Sequence, residues 1–308
     1  NDTALLANFL ARSHAIIATE SEVATMLASI EQPYHEHLSL LEKIFGGALD
    51  VEESFLLGGL SPDHLERYAR FCSTCTHFVP GVMRDSGSDA WSRNSDVELR
   101  QHVNQLVLER RRDHDRVPFL MATAYWANCY FGIRQSLEVD SLCYAIRQSS
   151  SGEFSDLMQA AFLAAIEACS SGPHFAQPPT MRSEQQIRRV MKKRSESVLA
   201  EFKNRMAVMP LRPVRKKHQL TVTQLPWTEA LDKFAIETVA VSRGVYVDPP
   251  YSRLQYSRFY HVFDSLLRYD YPETIGAGRV SELSKRIPSR FDSRLSTASS
   301  EIDAVVQA

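Results

Sequence analysis

The sequence predicts an α/β protein in which a large, mainly helical region is followed by an α/β core. Apolar side chains recur at helical spacing through most of the first two hundred residues. Short β-branched runs at 220–223 and 244–247 are instead typical of strands. Pro210 and Pro213 separate the two patterns, because proline interrupts a helix. We therefore expect core segments at 1–20 and 210–308, with residues 21–209 forming the helical region.

Capping signals mark the starts of the first helices. Residues 19–22 (TESE) form a candidate capping box before an apolar stripe. Pro62 follows Ser61 in the first turn of a second helix, and Ser95 precedes a third. The glycine pairs 46–47 and 58–59 lie among these helices and are interpreted as helix ends. Polar loops are expected at 86–95 and 274–279.

A strongly amphipathic helix is predicted to begin near Ser183 and to continue to Phe202. One side is apolar, and the other carries most of a basic run, namely Arg188, Arg189, Lys192, Lys193 and Arg194. The apolar side of such a helix can dock on the protein while its charged side follows a DNA backbone. A solvated surface helix is the alternative interpretation.

The overall charge does not indicate a protein that binds nucleic acid through bulk charge. The chain has 308 residues and a formal net charge of −2 at pH 7, with a pI of about 6.6. Contacts with DNA would therefore have to come from local basic patches. Besides the run at 188–194, the clusters at 110–112 and 212–217 are candidates.

The cysteines indicate a reducing compartment. There are five, an odd number without the spacing of a disulfide framework, and no apolar stretch reaches the length of a membrane span. A cytoplasmic protein is expected. Cys72 and Cys75 form a lone CxxC without a second pair at zinc spacing. Two core thiols are expected there, and no metal site is predicted.

The strongest functional signal is the tetrapeptide Asp248-Pro249-Pro250-Tyr251, directly after the apolar run 245–247. Two prolines end the predicted strand and remove two N–H donors. A carboxylate and a free carbonyl are thereby presented at the carboxyl end of a strand, where open α/β sheets bind ligands. The sequence predicts a pocket for an amino group. The alternative is a strand followed by a rigid turn.

The surrounding residues resemble a known family. From Val245 the chain reads VYVDPPYSRLQYSRFYHVFDSLLRYDYPE, which is similar to the motif IV region of the Dam-like, D12 class of DNA adenine-N6 methyltransferases. Residues 130–146 and 174–177 resemble other parts of that family, so the resemblance extends over about 130–302. It implies a partial Rossmann-like methyltransferase core with a helical target-recognition region. The implied cofactor is S-adenosylmethionine, and the implied substrate is double-stranded DNA.

The resemblance also implies a catalytic motif formed by Asp248, Pro249, Pro250 and Tyr251. Asp248 and the Pro249 carbonyl would accept the two N6 hydrogens of adenine, which turns the nitrogen lone pair toward the methyl group. Tyr251 would stack on the purine, because the target base must leave the duplex to be modified. No covalent enzyme intermediate is required.

Cofactor contacts are assigned on shorter matches. Asn1 and Asp2 resemble the acidic position that binds the cofactor ribose, although an ordinary terminus is the alternative. Trp227 lies where the family places a contact to the cofactor adenine, but the usual acidic or amide residue is replaced there. Asp248 would also border the cofactor.

Further DNA contacts are expected around the tetrapeptide. Arg253 and Arg258 flank it and could grip phosphates, while Tyr256, Tyr260 and His261 follow on a short predicted helix. These three side chains would lie against the flipped base or the DNA strand. Aromatic packing is the alternative for the tyrosines, and a structural histidine is the alternative for His261.

The glycine-rich cofactor loop of the family would lie before Asn1. The leading expectation is therefore one part of a split or multi-subunit, site-specific methyltransferase whose partner chain supplies that loop, within a restriction-modification or phage-defence system. An experimental fragment and a degenerate relative are the competing explanations. The alternative function is a catalytically inactive, DNA-binding regulatory subunit. RNA as the methylated polymer is a third possibility.

Overall fold

Helix follows helix through most of the described chain. The computed structural model describes residues 5–13, 16–74, 93–149, 153–208, 229 and 257–281. Its helices are α1 (Leu5–Ser13), α2 (Glu20–Leu56), α3 (Pro62–Thr74), α4 (Arg93–Arg110), α5 (Met121–Trp126), α6 (Ile133–Ser149), α7 (Glu153–Cys169), α8 (Glu184–Arg194), α9 (Val198–Val208) and α10 (Ser257–Arg268). Strands β1 (Thr274–Ile275) and β2 (Val280–Ser281) pair antiparallel.

The strands predicted at 220–223 and 244–247 lie outside the described residues. A Rossmann-like core and the proposed division into 1–20, 21–209 and 210–308 therefore stay predictions. Within the described ranges, the sheet formed by β1 and β2 replaces the plain loop expected at 274–279.

Helix α6 is the centre of the described fold. The long helix α2 packs along it, and α5, α7 and α9 contact it as well. Buried residues of α6 include polar ones, among them Gln135, Glu138 and Asp140. Polar groups inside a protein are costly unless they are hydrogen-bonded, and each of these side chains bonds to another segment.

Buried carboxylates satisfy the free N–H groups at helix starts. Glu52 of α2 accepts hydrogen bonds from the backbone nitrogens of Ile133 and Arg134, at 2.7 and 2.8 Å, where α6 begins. Glu138 of α6 accepts from the backbone nitrogens of Val198 and Leu199, at 2.5 and 3.3 Å, where α9 begins. Helix starts carry unpaired donors and partial positive charge, so these contacts connect α2, α6 and α9.

Asp140 connects α6 to the first turn of α5 and to the segment after α10. Its carboxylate accepts from the backbone nitrogens of Ala122 and Thr123, each at 2.8 Å, and from the Tyr269 hydroxyl at 2.5 Å. Burial raises the pKa of Asp140 to about 6, although these hydrogen bonds oppose the shift. The contact orders Tyr269, which directly follows α10.

The expected helix starts are confirmed for α2, α3 and α8, whereas the start expected after Ser95 is wrong, because Ser95 lies inside α4. Thr19 and Glu22 form both bonds of a capping box at α2, and Ser183 with Gln186 does the same at α8. Helix α3 begins at Pro62, as expected. Helix α4 begins at Arg93, inside the loop expected at 86–95.

Two further helix predictions are wrong. The basic helix does not run through to Phe202, because α8 ends at Arg194 and α9 begins at Val198, where Glu138 caps it. Gly46 and Gly47 are not a helix end but lie inside α2, whereas Gly58 directly follows its C-cap residue, Leu57.

Candidate functional site

Helix α10 begins six residues after Tyr251 of the predicted catalytic motif, and it brings together segments that are far apart in sequence. His261 of α10 lies with its Nε2 atom 2.8 Å from the carbonyl oxygen of Phe175. A carbonyl only accepts, so Nε2 carries the hydrogen. The Tyr130 hydroxyl also donates to this carbonyl, and it lies 2.9 Å from the carbonyl of Gly278. Three segments that resemble the family thus meet at one point.

Gly278 is required at this meeting point by lack of space. A Cβ atom there would lie 2.9 Å from both the carbonyl oxygen of Ala176 and the hydroxyl oxygen of Tyr130. Burial raises the pKa of Tyr130, so its hydroxyl stays protonated and available as a donor. The hairpin, the loop at 170–177 and the start of α6 are therefore closely packed.

Beside this point lies a cleft of about 270 Å³. One wall is formed by residues 170–175 with Glu167 of α7, and the other by Phe259, Tyr260 and Phe263 of α10. The rings of His174 and Phe259 meet edge to face at 5.0 Å across it. Tyr260 is 41% exposed, and its ring stacks on Phe263.

The polar groups of the cleft have defined hydrogen-bonding roles. The backbone nitrogen of Ala176 donates to His174 Nδ1 at 3.2 Å. Nδ1 therefore carries a lone pair, and in the neutral ring the hydrogen is on Nε2. Glu167, an exposed carboxylate, is an acceptor. The cleft thus combines aromatic faces with one ring donor and one carboxylate acceptor.

All of the predicted catalytic and cofactor residues, and two of the predicted DNA contacts, lie outside the described residues. These are Asn1, Asp2, Trp227, Asp248, Pro249, Pro250, Tyr251, Arg253 and Tyr256. Their roles stay predictions. Of the described site residues, Arg258 is half-buried and Tyr260 is exposed, both in α10. His261 is only 3% exposed and bonds to the protein interior, which favours the structural alternative for this side chain.

The basic residues of α8 fall into two groups. Arg189 and Lys192 are exposed. Arg188 donates to the carbonyl of Leu60 at 2.8 Å, and Lys193 donates to the carbonyl of Ala168 at 2.9 Å. Arg189 and Lys192 are therefore the residues of this helix best placed to contact DNA phosphates.

Arg194 corrects the sequence prediction, because it lies on the buried side of α8. Its guanidinium donates to Asn128 Oδ1 at 3.0 Å, to Ser171 Oγ at 3.1 Å and to Cys72 Sγ at 2.9 Å. The spacing of the basic residues does not show this, but Arg194 follows the apolar Ile187, Val190 and Met191 by seven, four and three positions, so helical spacing places it on their side. The core thiol expected at Cys72 is confirmed, and Cys75 lies outside the described residues.

The basic cluster at 110–112 is also largely occupied within the protein. Arg110 is buried and donates to the carbonyls of Val117 and Pro118. Arg111 donates to the carbonyl of Tyr271 at 3.0 Å. These two side chains hold the segments around α5 and after α10, and only Arg112 of the three is exposed. The cluster at 212–217 lies outside the described residues.

No helix in the described part of the chain combines the length and the apolar character that a membrane crossing needs. The same residues include no group of three or more His, Cys, Asp or Glu side chains placed to hold a metal ion.

Sequence reasoning missed the cleft beside α10. His174 belongs to a segment that resembles the family, but nothing in its spacing connects it to Phe259 or Glu167. The one available signal was the run of aromatic residues after the tetrapeptide, which places Phe259, Tyr260 and Phe263 on the same helix.

Comparison with protein families gives one match. Residues 228–306 match the model of the D12 class N6 adenine-specific DNA methyltransferase family. The resemblance seen at the tetrapeptide is thereby confirmed, and the matched region contains both residues 248–251 and α10. No curated protein matched the chain. No solved structure matched it either.

Proposed function

We propose that this protein takes part in the transfer of a methyl group from S-adenosylmethionine to the N6 atom of adenine in DNA. The observation that carries the proposal is the family match over residues 228–306, which includes the whole Asp-Pro-Pro-Tyr tetrapeptide. The tetrapeptide is the part of the chain whose chemistry suits an exocyclic amine, because it combines a carboxylate, a free carbonyl and an aromatic ring.

The proposed chemistry depends on acceptors at the amine. The N6 lone pair of adenine is delocalised into the ring, so the nitrogen is a poor nucleophile. Asp248 and the Pro249 carbonyl accept the two N6 hydrogens and localise the lone pair, while Tyr251 holds the extruded base by stacking. S-adenosylmethionine, when bound, supplies an electrophilic methyl group on a sulfonium. Transfer would replace the C–S bond by an N–C bond and leave S-adenosylhomocysteine, while the proton lost from N6 would pass to the Asp248 carboxylate or to water.

The proposed DNA contacts lie on two described helices. Arg189 and Lys192 of α8 are exposed cations, which can pair with phosphates in a salt-dependent way. Arg258 and Tyr260 lie on α10, close in sequence to the tetrapeptide. The remaining proposed contacts, Arg253 and Tyr256, belong to the segment between the tetrapeptide and α10.

The test is methyl transfer from labelled S-adenosylmethionine to DNA that lacks adenine methylation. The chain is assayed alone and together with the product of a neighbouring gene. After digestion to nucleosides, the label should be in N6-methyldeoxyadenosine. Label only with the neighbour would support a split enzyme. Label in another nucleoside, or in RNA but not DNA, would contradict the proposal.

The second candidate is a regulatory subunit that binds DNA without methylating it. The observation in its favour is the pair of exposed cations on α8, which does not involve the tetrapeptide. Such a protein would bind duplex DNA and lose affinity on substitution of Arg189 and Lys192. It would give no N6-methyldeoxyadenosine under any of the assay conditions.

A further inference from the structure

The cleft between α10 and residues 170–175 has features of a binding site. Its α10 wall presents three aromatic side chains, and Tyr260 among them is 41% exposed. Stacking of a base on an aromatic ring is a common way to hold single-stranded nucleic acid. A planar heterocycle is therefore the ligand that this lining suits best.

The opposite wall is fixed in place by buried hydrogen bonds. Both His261 and Tyr130 donate to the carbonyl of Phe175, and Phe175 lines the cleft. The neighbouring Ala176 packs against Gly278, where no larger residue fits. A wall held in this way is preorganised, which lowers the entropic cost of binding.

The cleft itself is small, and it adjoins a second cavity of about 380 Å³ that shares Glu167, Tyr260 and Phe263. The cleft volume of about 270 Å³ lies just below the range for ligand pockets, which begins at about 300 Å³. A single base suits this volume better than a whole cofactor with adenosine and methionine parts. Glu167 adds an acceptor that can pair with an exocyclic amino group on the base.

Chain connectivity places the cleft close to the predicted catalytic motif. The first residue of α10, Ser257, is six positions after Tyr251. Even a fully extended segment of that length spans only about 20 Å. A DNA strand rises about 3.4 Å per nucleotide, so the same strand can reach both places within a few nucleotides.

We infer that this cleft binds a second, unpaired base of the DNA strand, within about six nucleotides of the target adenine, with Tyr260 as the stacking residue and Glu167 as the acceptor for an exocyclic amine. The inference rests on the proposed function, because that function supplies the DNA strand. It adds a base-binding position outside the tetrapeptide, with a preference for bases that carry an amino group.

The first test measures binding without catalysis. A fluorescently labelled, single-stranded 12-mer of deoxycytidine is titrated with the wild type, Tyr260→Ala and Tyr260→Phe. The alanine variant should bind about tenfold more weakly, since one stacked base contributes about 1–3 kcal/mol. The phenylalanine variant keeps the ring and should bind within about twofold of the wild type. Unchanged binding by Tyr260→Ala would overturn the inference.

The second test uses Glu167→Met and compares oligomers of deoxycytidine and thymidine. Thymidine has no exocyclic amine, so the wild type should bind the deoxycytidine oligomer more tightly. In the variant the ratio of the two affinities should be about threefold smaller, as expected for one exposed hydrogen bond. The ratio of the two affinities cancels the general effect of removing a negative charge. An unchanged ratio would contradict the role given to Glu167.

A third titration, with S-adenosylhomocysteine, distinguishes a cleft that binds a DNA base from one that binds the cofactor. Tyr260→Ala should leave this binding unchanged, whereas selective loss would assign the cleft to the cofactor adenine and overturn the inference. None of these titrations requires methyl transfer. A protein that shows the Tyr260 effect but no methylation would refute the proposed function alone, and an active protein without the effect would refute this inference alone.

Discussion

At the scale of single residues, buried polar side chains determine how the described segments meet. His37 of α2 shows this in the core: its Nε2 atom accepts from the backbone nitrogen of Phe119 at 2.8 Å, and Nδ1 lies 3.1 Å from the Ser141 hydroxyl oxygen. A backbone N–H only donates, so Nε2 must carry the lone pair and Nδ1 the hydrogen. The bonded form of His37 is therefore the neutral ring.

The neutral state of His37 predicts a loss of stability in acid. Burial lowers the pKa of His37 to about 4, from an ordinary value of 6.5. A lowered folded-state pKa means that its contribution is complete above pH 6.5 and is lost as the pH falls toward 4. The loss from this group at pH 5 is about 2 kcal/mol. Urea unfolding at pH 7 and pH 5 measures it.

The control for this prediction is His37→Gln, which can accept the same backbone hydrogen but does not titrate. The unfolding free energy of the variant should fall less between pH 7 and pH 5 than that of the wild type. Comparing the two removes contributions common to both, including that of Asp140, whose raised pKa acts in the opposite direction. Equal losses in the two proteins would contradict the assignment.

Arg194 gives a second prediction at this scale. Its replacement by Met should lower the free energy of unfolding by about 3 kcal/mol, because several buried acceptors lose their donor together. Arg189→Met, on the exposed side of the same helix, should change it by about 0.5 kcal/mol or less. Thermal or urea unfolding of the two variants checks the contrast, and similar effects would count against the buried position of Arg194.

At the scale of elements, local signals and long-range contacts determine different features. The capping boxes of α2 and α8 could be predicted, because the residues that form each box lie within four positions. The break between α8 and α9 has one local signal, Ser197, whose hydroxyl accepts from the backbone nitrogen of Ala200 at 3.2 Å, but the carboxylate that also caps α9 belongs to α6, about sixty residues earlier. Gly46 and Gly47 misled for the same reason: tertiary packing of α2 outweighs the low helix propensity of glycine.

Gly47 and Gly278 have different surroundings, so replacing each of them by alanine should have opposite effects on stability. Gly47 lies exposed inside α2 with nothing within 4 Å of an added Cβ, so Gly47→Ala should stabilise the protein by about 1 kcal/mol. Gly278→Ala should destabilise it by about 1–3 kcal/mol, since the new Cβ meets a backbone oxygen and the Tyr130 hydroxyl. Melting temperatures of both variants provide the measurement. A tolerated alanine at 278 would contradict the close packing of the hairpin.

At the scale of the whole molecule, α10 links the proposed chemistry to the helical bundle. The tetrapeptide and the resemblance of the residues around it to the family could be recognised from the sequence, because motif IV is a short, continuous run. The cleft beside it could not, because its walls come from α7, the loop at 170–175 and α10. Short motifs show which chemistry is present, whereas the shape of the cleft depends on contacts between residues about ninety positions apart.

Hydrogen bonds within the folded molecule explain why basic runs in the sequence are weak guides to DNA contacts. Arg110, Arg111 and Arg194 all bond to groups within the protein, which leaves Arg189 and Lys192 exposed in α8. A run of basic residues does not by itself separate a cation on the apolar side of its helix, such as Arg194, from one that faces solvent.

The central claim is that Asp248 acts on the N6 amine of adenine, and methyl transfer by Asp248→Ala tests it most directly. The wild type, with any partner it requires, should form N6-methyldeoxyadenosine from labelled S-adenosylmethionine. Removing one acceptor from the reacting amine should lower the rate by at least about a hundredfold, while DNA binding and melting temperature stay near those of the wild type. Methylation by the variant at the wild-type rate would contradict the account.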